Sequence, residues 1–193
     1  MQAGPLRILT FTTVFPNPAR PEHGLFVLER VRHCAALADI HVVAPRPFYP
    51  WRAMRAVPRR EVRAGLPVEH PTFRYVPRYA KWLDGVALFL SSAGTVARLT
   101  RQAPFDVIDA HFGYPEGFAA ILLGWRFRVP VVITLRGSEL LLAADPGRRR
   151  ALRFALRHAA RIIAVSEPLA RFARDLLAGK PAPPPITVIA NGV

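Results

Sequence analysis

The chain has 193 residues, 51% of them hydrophobic. That suffices for one sizeable packed domain and excludes a disordered chain. Lys and Arg number 27 against 13 Asp and Glu, a formal charge of +14. Such an excess points to an anionic partner, whether nucleic acid, an anionic membrane face or a phosphorylated ligand, although arginine richness beside abundant alanine and proline also arises from a biased genome.

The single cysteine, Cys34, excludes a disulfide within the chain and fits a reducing compartment. The opening MQAGPLRILTFT lacks a basic head followed by a long apolar stretch, so no secretory signal is expected. Apolar runs such as GFAAILLGW at 117–125 fall short of the roughly 20 residues a spanning helix needs. A soluble or surface-bound, cytoplasmic protein is expected.

In chain order, residues 6–12 (LRILTFT) read as a first strand, followed by a proline-rich loop to Gly24. Residues 25–38 carry apolar side chains at helical spacing, and 40–45 (IHVVAP) form a second strand. Residues 46–65 read as irregular and 68–76 as a strand. A helix over 80–101, a strand over 106–111 (DVIDAH), a helix over 115–127 and a strand over 130–135 come next. Then come a helix over 147–159, a strand over 161–166 (RIIAVS), a helix ending at Gly179, and a last strand over 186–190 (ITVIA).

Strands alternate with helices, and the strands are continuous apolar runs. That pattern predicts a mostly parallel, doubly wound α/β sheet of Rossmann-like type, buried on both faces. Ligands of such sheets sit beyond the carboxyl ends of the strands. The residues just past the strand ends are mostly polar or glycine: Thr12 and Thr13; His23 and Gly24; His111, Phe112, Gly113, Tyr114 and Glu116; Arg136, Gly137, Ser138 and Glu139; Ser166 and Glu167; Asn191 and Gly192. Glycines let backbone approach a ligand, and helix amino-termini favour anions. No G-x-G-x-x-G comes after the first strand, no P-loop is present, RGSEL is not a nucleophile elbow, and no H-E-x-x-H or paired cysteines mark a metal site. The two aspartates of DVID read as strand-end residues.

In order, DVIDAHFGYPEGFAA, VPVVITLRGSELL, ARIIAVSEPLARFARDL and ITVIANGV resemble the amino-terminal half of glycosyltransferase family 4, retaining enzymes of GT-B type. The resemblance runs from the first strand to the last residue and is weakest over 46–104. It implies that residues 1–193 are the acceptor-binding domain and that the nucleotide-sugar domain lies outside this chain. It further implies a hexosyltransferase-type enzyme, inactive as this half alone, using a nucleotide-sugar as co-substrate without metal or other cofactor. A glycan or lipid-linked acceptor is expected. The alternative is a non-catalytic acceptor-binding or membrane-docking subunit with a separate catalytic partner.

On that resemblance, Arg136 and His111 are the catalytic candidates. Gly24, Gly113, Glu116, Gly137, Ser138 and Glu139 are substrate-binding candidates, and Asn191 and Gly192 form the interdomain hinge. Two departures stand out: Arg136 replaces a histidine present in many members, and Gly24 is followed by Leu25 where many have a second glycine. Arginine cannot serve as acid or base near neutrality, but it grips phosphate or carboxylate bidentately.

Each candidate has a plainer reading. Arg136 could pair with Glu139 or Glu116, His111 could be a satisfied strand-end histidine, Glu116 could merely complement a helix dipole, and Ser166 reads as a helix cap. Two basic patches, 46–63 and the Arg149, Arg153, Arg157, Arg161 series, suit an anionic membrane on the cytoplasmic inner face or are solvated surface. Nucleic acid is the weaker partner, because no binding motif is visible.

Overall fold

A computed structural model describes residues 4–48, 56–75, 80–179 and 182–191. The first strand, β1 (Leu6–Phe11), pairs in parallel with β2 (Ala38–Val43) and with β7 (Val107–His111). Next to β2 lies β5 (Leu66–Glu69), and on the other side lie β8 (Val131–Leu135), β9 (Arg161–Ala164) and β10 (Ile186–Val188). With β4 (Arg60–Arg63) antiparallel at one edge, the eight-stranded sheet runs β10-β9-β8-β7-β1-β2-β5-β4. Its seven-stranded parallel part has the order 3-2-1-4-5-6-7, the 3-2-1-4-5-6 order of a Rossmann-like sheet with one strand added, so the order reverses between β1 and β7. That reversal opens the crevice in which such folds bind ligands.

Helix α1 (Leu25–Cys34) covers one face, burying Val27, Leu28 and Val31 against Ile40, Val42 and Val68. The other face buries Leu9, Phe11, Ile108, Ile133 and Ile162 beneath α2 (Asp84–Gln102), α3 (Phe118–Phe127), α5 (Pro146–His158) and α6 (Glu167–Leu177). A short helix, α4 (Glu139–Leu142), lies between β8 and α5. On the α1 side, Val107, Asp109, Val132 and Ile163 are only partly covered. The expectation of burial on both faces therefore holds only in part along β7 to β9, where His111 and Thr134 at the strand ends are buried on this side.

Several local expectations are corrected. The helix predicted over 25–38 stops at Cys34, because Ala38 already pairs with Leu6 as the start of β2. The region 46–65 is not all irregular. Arg46–Pro47 (β3) pairs with Thr72–Phe73 (β6), and β4 turns back into β5 through Ala64 (φ 51°) and Gly65 (φ 80°). Both turn residues are left-handed, as a two-residue hairpin of matching twist requires. Alanine at the first of them masks the Asn-Gly or Asp-Gly signal that would have betrayed it. The strand predicted over 68–76 is thus two strands, β5 and β6. Ala80 is left-handed (φ 48°), so α2 begins only after a tight helical turn at Lys81–Leu83.

Helix starts also differ from expectation. Ser166 occupies the cap position of α6, but its side chain makes no capping hydrogen bond. Asp145 caps α5 instead, its carboxylate accepting from the Arg148 amide at 2.7 Å, with Pro146 in the first turn. Gly179 is left-handed (φ 79°) just past α6, as expected of a helix end.

Candidate functional site

Strand β7 ends in His111 and β8 in Leu135, so both chains emerge at the carboxyl edge of the sheet beside its reversal point. His111 and Asp109 are two apart on one strand and share a face. His111 Nε2 lies 3.1 Å from the Asp109 carboxylate, which also accepts from the Thr134 hydroxyl at 3.3 Å. Burial alone would push the Asp109 carboxyl up, but His111, Arg30 and Thr134 outweigh it and hold it below its ordinary range. Asp109 is therefore more than the strand-end residue the sequence indicated, and the i, i+2 spacing to His111 was the signal for it.

The Arg136 side chain leaves β8 and folds back over this pair. One terminal nitrogen is 2.8 Å from His111 Nδ1, and the other donates to Asn191 Oδ1 at 2.6 Å. Arginine can only donate, so Nδ1 must accept and Nε2 carries the imidazole hydrogen toward Asp109. The guanidinium also lies 5.1 Å above the Phe26 ring at the start of α1. Desolvation, with Arg30 nearby, lowers its pKa to about 10, still cationic at neutrality. Neither Glu139 nor Glu116 pairs with the guanidinium, so the ion-pair reading falls, and the buried Nε–H has no acceptor among the described residues.

Glu139 instead anchors the loop. Fully buried, it accepts from the amides of Gly137 (2.7 Å), Gly113 (3.0 Å) and Arg136 (3.2 Å). One carboxylate thus ties the β8 loop to the β7 loop. Gly137 takes φ +116° with open space about it, whereas Gly113 is buried and a Cβ there would come within 2.3 Å of Leu152. Gly24 (φ +83°) faces its own loop, since a Cβ would meet the Val14 carbonyl oxygen at 2.4 Å. Only Gly137 of these three leaves free space beside its backbone.

Glu116 is buried and bridges the reversal point. Its Oε1 accepts from the Thr13 hydroxyl and, at 3.4 Å, from the Thr13 amide, joining the β1 and β7 loops, while Oε2 has no partner among the described residues. Burial pushes the carboxyl up to about 7, against the Thr13 hydrogen bonds and with help from Glu139. It does not sit as an exposed dipole partner at a helix start. Ser138 and Glu116 line an apolar groove of about 400 Å³ with Phe112, Tyr114, Leu141 and Leu142. Phe26 and the α4 leucines are the contributors that sequence reasoning missed, while Thr13 and Phe112 were noted past the strand ends but given no role. Asn191, expected as a hinge residue, is a hydrogen-bond partner of Arg136. Gly192 lies outside the described residues.

Of the basic patches, residues 49–55 fall outside the described residues. Arg149, Arg153 and Arg157 are exposed along α5, but Arg161 belongs to β9 and not to the helix, a correction to the four-residue series. Among the described residues no helix is long and apolar enough to cross a membrane, and no group of three or more His, Cys, Asp or Glu is placed to hold a metal ion.

A Rossmann-like sheet carrying its polar loops at the reversal point is the architecture of one half of a GT-B glycosyltransferase. The chain belongs to the glycosyl transferase 4-like domain family, whose profile matches residues 23–192. It is 32% identical over 183 residues to TuaC of Bacillus subtilis (strain 168), named as a teichuronic acid biosynthesis glycosyltransferase, across 89% of this chain and 47% of TuaC. The chain thus spans about half the length of that curated relative. Among solved structures, a sucrose-phosphate synthase from Thermosynechococcus elongatus superposes with TM-score 0.65 at 13% identity, covering 96% of this chain and 89% of that one. HepE of Anabaena, solved in complex with UDP-glucose, superposes with TM-score 0.58 at 15% identity, covering 98% and 44%.

Proposed function

We propose that this domain forms the acceptor side of a retaining glycosyltransferase that moves a hexose from a nucleotide-sugar to a glycan or lipid-linked acceptor. The donor would be held by a second domain, beyond Asn191 and Gly192, for which half of TuaC remains unmatched by this chain. The observation that carries the reading is the Arg136 guanidinium. It is half-buried at the carboxyl edge of the sheet, paired with no carboxylate, and its two terminal nitrogens each keep an N–H beyond those given to His111 and Asn191. Such a group stabilises negative charge as it develops on a departing diphosphate, the principal demand of this chemistry.

The other residues take their roles around it. His111, buried with its Nε2–H held by Asp109 and its Nδ1 accepting from Arg136, positions the guanidinium. Gly137 brings backbone close, while Gly24, Gly113 and Glu139 hold the loops in position. Glu116 and Ser138 line the groove for acceptor atoms. HepE was solved with UDP-glucose, which supports a nucleotide-sugar as the partner. No metal or other cofactor is called for in this half. The exposed α5 arginines fit a cytoplasmic enzyme touching an anionic inner membrane face, a contact that weakens as salt screens it within about 10 Å at 0.1 M. Vesicle co-sedimentation tests that contact; equal binding to neutral and anionic vesicles would refute it.

The decisive experiment incubates the protein with a panel of nucleotide-sugars and acceptors and measures nucleotide diphosphate release. Turnover is expected only when this domain is joined to its donor-binding half. Robust turnover by the 193-residue chain alone would overturn the half-enzyme reading.

A further inference from the structure

A second hollow lies three strands from β7 in the sheet order, between β4, the segment after β5, and α2. Its volume is about 410 Å³, within the range of small-molecule sites, and its wall is mostly polar. Four arginines line it: Arg59 and Arg60 from β4 and the residue before it, Arg74 after β6, and Arg98 from α2. One buried carboxylate, Glu69, answers them. The same oxygen, Oε1, takes Arg98 at 2.7 Å and Arg60 at 3.2 Å.

That arrangement is unbalanced. A guanidinium brings five N–H donors, so a single carboxylate oxygen leaves most of the donors of Arg60 and Arg98 for another acceptor. Arg59 and Arg74 have no ion-pair partner among the described residues; Arg74 merely lies 5.8 Å from the Phe48 ring. The Ser91 hydroxyl donates to the Ala87 carbonyl at 2.7 Å, and the Arg74 amide reaches it at 3.4 Å, which fixes the rim on which Arg74 stands. Four cations against one anion leave a surplus of three positive charges facing the hollow. Among the described residues no Phe, Tyr or Trp lines it to stack a base.

We propose that this groove is a phosphate-binding site, separate from the His111–Arg136 edge, that takes a phosphate or diphosphate group in the forks of Arg59, Arg60, Arg74 and Arg98. Glu69 holds Arg60 and Arg98 in place from beneath, and Arg59 and Arg74 close on the ligand. The surplus charge matches a phosphate or diphosphate better than a single carboxylate, and planar guanidinium forks match its oxygens two at a time. The phosphate can belong to a free phosphate ester or to a lipid headgroup, and the site stands whether or not sugar transfer occurs in this protein.

The test compares the native protein with the Arg59→Gln/Arg74→Gln variant, whose altered side chains are exposed and unpaired, so the fold should persist. Calorimetric titration with inorganic pyrophosphate at fixed ionic strength should show binding at least about tenfold weaker in the variant. An Arg126→Gln/Arg171→Gln control, exposed on α3 and α6, should bind as the native protein does. In parallel, flotation with phosphatidylcholine vesicles, with and without phosphatidic acid, identifies the source. Phosphatidate-dependent flotation lost in the groove variant assigns a lipid headgroup, and a pyrophosphate effect without it assigns a free phosphate. Equal affinity in the groove and control variants, or binding of neither probe by the native protein, would overturn the proposal.

Discussion

Glu116→Gln separates a buried proton from a buried charge. The carboxyl ordinarily titrates at 4.5, but in the folded protein burial raises it to about 7. An unfolded chain therefore gives up this proton near 4.5, while the folded one keeps it until about 7. Between those values ionisation favours the unfolded state. The stability present in acid is lost as pH rises through the folded pKa, and it stays lost above it. From pH 5 to pH 8 the loss is about 2.5 kcal/mol. In a domain of this size that corresponds to roughly 5–10 °C in Tm. Glutamine preserves the shape, still accepts from the Thr13 hydroxyl, and does not titrate. Urea unfolding at pH 5 and pH 8 is the assay. The two proteins should be similarly stable at pH 5, and the variant should be the more stable at pH 8. If both lose the same stability across that range, Glu116 is ionised in the folded protein and the reasoning from its burial fails.

The caps are a second test. Asp145→Ala should cost about 1 kcal/mol because it removes the bond to the Arg148 amide, whereas Ser166→Ala should change stability by less than about 0.5 kcal/mol; denaturant midpoints at constant slope compare them. Gly24→Ala should destabilise by about 2 kcal/mol or more, read as a fall in Tm, since it forces a left-handed side chain against the Val14 carbonyl. In the two-domain enzyme, Arg136→Ala should lower turnover tens- to hundredfold with little change in Tm, and Arg136→Lys should restore only part of it. A sharp loss of Tm with intact activity in the surviving folded enzyme would mark Arg136 as a brace.

The apolar runs at 8–11, 107–110 and 131–135 determined the fold class by themselves. A strand followed by an amphipathic helix has few ways to bury its side chains other than a parallel layer. The sequence also placed Arg136, His111 and Glu139 at one edge, because every residue just past such a strand emerges there. It could not say which of them meets a ligand. Glu139 and Arg136 lie three apart in the chain, yet one spends its charge on backbone amides and the other keeps an N–H unspent. Ser166 and Asp145 both precede a helix-opening segment with proline, and only one of them caps. Glu116 reads in the chain as a helix-starting acid, and its raised pKa arises from burial across the β1–β7 reversal beside Thr13, 103 residues away in sequence. The four-arginine hollow is likewise invisible to local reading, since its members come from β4, the segment after β6, and α2. Local pattern reports which backbone conformation and which face a residue prefers. Desolvation and charge balance depend on neighbours distant in sequence, and only the packed tertiary structure brings those together.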